Sequence, residues 1–157
     1  MDARTASRAA EVTVGTLNSW VQRGLVPGMT VGAQGRARDF DVGVATGIGI
    51  ICALVRHGLS APRASKIAER YLKEEPRHNR LLLAPLNEID NLRQNNIEIG
   101  VYHPFATEEE LPAVLKRIQP LKLPSYIVLD VEHIKETMRA AEERWQQQQG
   151  RQEGRRA

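Results

Sequence analysis

The chain has 157 residues, 41% apolar and 26% charged, proportions that exclude a disordered polymer and leave room for one or two small domains. No apolar run approaches the ~20 residues that span a bilayer, the polar, alanine-rich beginning lacks a signal-peptide pattern, and the single cysteine excludes an internal disulfide. A cytoplasmic protein without membrane contact is expected.

The net charge of +3 is unevenly placed: ten Lys and Arg stand against seven Asp and Glu through Glu75, and twelve against twelve from Pro76 onward. So small an excess says little by itself, and only the placement of the arginines can speak for nucleic acid.

In chain order, residues 5–11 predict a first helix with a small apolar face at Ala6, Ala9 and Ala10. Thr13 has the chemistry of an N-cap for a second helix over 14–23, whose Leu17, Trp20 and Val21 share one face while Gly15, Asn18, Ser19 and Gln22 share the other. Gly24 ends that helix, and Pro27 and Gly28 turn the chain. Residues 30–40 read as a hairpin wing in which Arg36 and Arg38, two apart, point the same way as a pair of phosphate clamps, with Phe40 anchoring the base. Asp41 caps an apolar helix through Val44, Ile48, Ile51, Cys52 and Val55 to a Gly58 stop. Ser60 then caps a short helix with Ala64, Ile67, Ala68 and Tyr71 on one side.

The run from Ala9 to Val26 resembles the DNA-binding domain of MerR-family winged-helix regulators. Thr16 and Leu17, Trp20, and Arg23, Gly24 and Leu25 stand where that family places its Thr-Leu, aromatic and Arg-Gly-Leu elements, and Arg56 to Ser60 resembles its later turn. The likeness covers a little under half of the chain. It departs at Asn18, where the family carries Arg, and at Gly35 to Arg38, where it carries Gly-Tyr-Arg; Cys52, inside an apolar helix, gives no inherited metal sensing. The resemblance implies double-stranded DNA as partner, read by Thr13, Val14, Gly15, Thr16, Asn18, Ser19, Gln22 and Arg23 and gripped by Arg36 and Arg38.

Beyond a linker at 73–79, residues 80–84 and 126–129 predict short buried strands, and the alternation of Ile97, Ile99 and Val101 predicts a third. Residues 107–118 carry a capping-box start and the helical face Leu111, Val114, Leu115 and Ile118, with Pro112 moving the regular part later. Asp130 caps a last helix on which Val131, Ile134, Met138, Ala141 and Trp145 recur at spacings of 3 and 4. That pattern is equally a dimer-forming seam and a helix packed on its own sheet. The tail from Gln146, ending in Arg151, Arg155 and Arg156, is expected to be disordered.

The expected fold is therefore α+β: a winged helix-turn-helix over 1–73, a small α/β dimerisation or regulatory domain over 80–148, and a disordered basic tail over 149–157. His57, His78, His103 and His133 lack ligand partners at metal spacing, and Glu108 to Glu110 suit a helix N-terminus better than acid-base work. No phosphate loop or nucleophile motif appears, so neither a cofactor nor catalysis is expected. The expected function is a homodimeric, sequence-specific transcriptional regulator of bacterium or phage, with RNA polymerase or another regulator as a further partner. Its rivals are an architectural protein of a phage or mobile element, such as an excisionase or small terminase subunit, and a protein-interaction module that keeps the helices as scaffold.

Overall fold

Short polar side chains start four of the helices by accepting the backbone amides that a first turn leaves open. Asp2 accepts from Thr5 at 2.8 Å, Thr13 from Thr16 at 3.1 Å, Asp41 from Val44 at 2.8 Å and Asp130 from His133 at 3.0 Å. They open α1 (Ala3–Ala9), α2 (Val14–Gln22), α3 (Val42–Arg56) and α6 (Val131–Glu153); between them lie α4 (Ala61–Glu74), α5 (Leu111–Ile118) and the strands β1 (Leu81–Pro85), β2 (Phe105–Ala106) and β3 (Tyr126–Asp130). The structure, a computed structural model, describes residues 1–29, 39–74, 81–85, 105–106, 109–118 and 126–153. Among them it is mostly helical, with one small sheet.

Two helices end alike. Gly24 (φ 67°) and Gly58 (φ 95°) adopt left-handed backbone just past α2 and α3. The next residue in each case folds back, Leu25 N–H donating to the Trp20 carbonyl at 2.8 Å and Leu59 N–H to that of Leu54 at 3.1 Å. These are Schellman closures, and only glycine takes that φ without strain.

On α3 every residue from Val44 to Cys52, and Leu54, is buried, because α4 packs along one side of it, α6 along another, and α1 also touches it. Ala64, Ile67, Ala68 and Tyr71 are the buried face of α4, which runs to Glu74 and is longer than the short helix predicted there. Phe40 is fully buried and exchanges two backbone hydrogen bonds with Met1, each 2.8 Å, holding the start of α1 against the entry to α3.

The sheet has the order β2-β1-β3, antiparallel throughout, with Leu82 opposite Leu129 and Ala84 opposite Ile127. Ile127 and Leu129 are buried while Val128 between them is 39% exposed, the alternation of a strand with one covered face. The third strand seen is Phe105–Ala106; the predicted strand at Ile97, Ile99 and Val101 lies outside the described residues, as do residues 30–38 of the wing predicted over 30–40. Helix α5 begins at Leu111, and Pro112 occupies its first turn, where a missing amide is tolerated.

Helix α6 bears on two expectations, the apolar seam and the tail. Val131, Met138 and Ala141 are buried, and Ile134 and Trp145 partly so, because the helix lies across α3 and α1 within the same chain. A Cβ added to Gly49 of α3 would stand 2.5 Å from Ile134 Cγ2 and 3.0 Å from Met138 Cε, so α3 presents bare backbone where α6 crosses it. Within the chain the seam is covered chiefly by α3 and α1, more than by its own sheet. It joins Ile127 and Leu129 to the core of the first four helices, so among the described residues the buried apolar side chains form one cluster. The expected tail is corrected: α6 continues as helix to Glu153, exposed from Gln146 to Gln152, about two turns into the stretch expected to be disordered.

Candidate nucleic-acid interface

Helix α2 divides by depth. Leu17, Trp20 and Val21 are buried at 0%, 6% and 1% exposure. On the other side Thr13, Val14, Gly15, Ser19, Gln22 and Arg23 are exposed, and Thr16 and Asn18 are half-buried. Positions 15, 18, 19 and 22 recur at helical spacing, so their side chains form one stripe roughly 10 Å long. A small or short polar group at each position lets another surface approach the helix backbone closely. Val14, at 38% exposure, offers the stripe one apolar contact at its beginning.

Thr13 has two tasks there. Besides capping the Thr16 amide, its hydroxyl lies 2.8 Å from the Thr16 hydroxyl, so both side chains are fixed at the amino-terminal end of α2. That end carries the positive pole of the helix and its open amides, which favour an anion. At the other end Arg23 is exposed. Between Val12 and Arg38 the sequence has three arginines and no carboxylate, so the stripe and the residues that follow it as far as Arg38 carry no charge that would repel phosphate.

The turn that sets the angle of α2 is held by a contact the sequence did not show. Glu11 takes a left-handed φ of 55°, unusual for a residue with a Cβ. Arg56, at the end of α3, donates to the Ala10 carbonyl at 2.8 Å and lies 2.7 Å from the Glu11 carboxylate. One guanidinium thereby satisfies the carboxyl end of α1 and pins the turn into α2. Nothing local marks this contact, since its partners stand 45 and 46 residues apart.

Among the other predicted site residues, Arg36 and Arg38 lie outside the described residues. Val131, Ile134, Met138, Ala141 and Trp145 do come together, within one chain, against α3 and α1. Cys52 is buried in α3, where desolvation pushes its thiol up to about 11, so it is protonated near neutrality. No described helix is long and apolar enough to cross a membrane. No family model matches the chain, and no curated protein matches it.

Proposed function

We propose that this chain binds double-stranded DNA in a sequence-specific manner and acts as a transcriptional regulator, α2 entering the major groove. The observation that carries this reading is the division of α2: Leu17, Trp20 and Val21 fasten the helix, and the opposite stripe of Gly15, Asn18, Ser19 and Gln22 is left for another surface. Asn18 and Gln22 have the paired donor and acceptor that match adenine, Ser19 serves either kind of base, and Thr13, Thr16 and Arg23 serve phosphates at the two ends of the helix. The sequence likeness to MerR-type winged helices supports the same assignment, with Arg36 and Arg38 as wing contacts to backbone. No catalytic step is proposed.

We take the DNA-bound form to be a homodimer, because one short reading helix gives little contact and two-fold pairing doubles it. With the apolar seam of α6 buried in its own chain, pairing falls to another surface. RNA polymerase or a second regulator is a partner of this reading only.

Genome-wide recovery of bound DNA, followed by binding assays on a recovered site, tests the proposal. The variant N18A/S19A/Q22A should lose the preference for that site while keeping its binding to unrelated DNA. Replacing Arg23, Arg36 or Arg38 with Ala should weaken both and make the log-log salt slope shallower by roughly 0.9 per phosphate contact removed. No DNA binding even at low salt would reject the reading and favour a protein-interaction module; binding without preference, accompanied by bending, would favour an architectural role.

A further inference from the structure

A groove of about 480 Å³ opens where α3, α4 and α6 meet the Pro27–Gly28 turn. Its floor is apolar, formed by Pro27, Val42, Val44 and Leu72, and the two charged residues along it are both cations, Lys135 and Arg139. These stand one turn apart on α6, so their heads reach the same rim. The size falls within that of ordinary small-molecule sites, which pair apolar walls with a few polar groups.

We propose that this groove binds a small amphipathic carboxylate, its tail on Val42, Val44 and Leu72 and its carboxylate between Lys135 and Arg139. The two parts of the site select jointly. A neutral apolar molecule gains nothing from the cations, an amine is repelled by them, and a bare anion has nothing to cover the floor. Glu132 lies 3.5 Å from Arg139 Nη1 and occupies one side of that guanidinium, and Lys135 also has an interaction of its own, so the ligand shares both cations with existing partners and the Glu132 carboxylate competes with it directly. The groove is distinct from the α2 stripe, and this proposal does not depend on DNA binding.

Calorimetric titration of the full chain with butanoate, hexanoate and octanoate tests it. Affinity should rise roughly fourfold per methylene that reaches the floor, and octylamine should not bind. The variant K135Q/R139Q should bind octanoate at least about tenfold more weakly, since two charge-assisted contacts are lost. E132A should instead bind it about two- to fivefold more tightly, which keeps the test decisive should the double variant fold poorly. Absence of octanoate binding up to about 10 mM would overturn the proposal. So would equal affinity for octylamine, an affinity indifferent to chain length, or an E132A affinity that is unchanged or weaker.

Discussion

Replacing Gly49 with Ala tests whether α6 belongs to the core of its own chain. In an open helix interior this change stabilises by about 1 kcal/mol, because alanine loses less backbone freedom than glycine. At Gly49 the added carbon would meet Ile134 Cγ2 at 2.5 Å and Met138 Cε at 3.0 Å, against the ~3.5–4.0 Å at which carbons rest in contact. Met138 has a flexible terminus and can give way. Ile134 cannot easily do so, since its Cγ2 is fixed by a branched Cβ with one strongly preferred rotamer in a helix. Overpacking of this kind costs about 1–3 kcal/mol, so G49A should be destabilised by about 1 kcal/mol net, a fall of roughly 2–4 °C in Tm. Two companions sharpen the reading. G150A lies on the same α6, with nothing within 4 Å of its added carbon, and should be neutral or stabilised by about 0.5 kcal/mol. I134L moves the branch from Cβ to Cγ and should recover most of the loss in the G49A background, a coupling measurable by a double-mutant cycle in urea. If G49A proves more stable than the parent by about 1 kcal/mol, Gly49 faces open space and α6 has left α3, as it would when paired with a second copy.

Local geometry supports three further expectations. Glu11 in its left-handed conformation costs about 1–2 kcal/mol and recovers less than about 1 through its exposed pair with Arg56, so E11G should raise stability by about 0.5–1 kcal/mol in urea denaturation; a clear loss would mean that the ion pair governs the turn. Burial works against ionisation of Asp2, but the Thr5 hydrogen bonds overcome it and hold the carboxyl below 3.8; with the folded value depressed, its stabilisation is present above about pH 4 and disappears as pH falls through the folded value. The margin of wild type over D2N should therefore shrink between about pH 5 and 3 in thermal melts, and a constant margin would refute the assignment. Finally, Cys52 should react with a thiol reagent at pH 8 only when denaturant is added, because burial both covers the sulfur and keeps it protonated; fast reaction of the folded chain would show α3 to be open.

Features decided within a few residues were legible in the sequence. Thr13, Asp41 and Asp130 cap because an oxygen three residues before an open amide can reach it, and Gly24 and Gly58 stop helices because the chain there needs a positive φ. The inward face of α2 was equally plain, since Leu17, Trp20 and Val21 follow the helical period. The start of α1 was set two residues late because Asp2, its cap, precedes any apolar pattern. The larger miss was the place of α6. A spacing of 3 and 4 shows that Val131, Ile134, Met138 and Ala141 want cover but is silent on what covers them; the counterpart was a glycine, Gly49, whose role is to be small. Likewise Gln146 to Glu153 look like solvent-loving tail, and composition alone cannot tell a polar coil from a polar helix continued from a well-anchored one. For the candidate site, the exposed stripe could be read, whereas the hold of Arg56 on the turn joins residues too far apart for any periodic signal.

The crossing of α6 over α3 and α1 also bears on how this chain reaches its native state on the ribosome. Helices α1 to α4 emerge first, but the strip of α3 around Gly49 stays open to water until residues 131–141 have been made, some 80 residues later. Such distant closure slows folding and leaves an apolar surface exposed meanwhile, the condition under which nascent chains aggregate or engage chaperones. Removing the last helix would thus do more than trim an appendage: it would leave the N-terminal helices held in their unfinished, half-covered state.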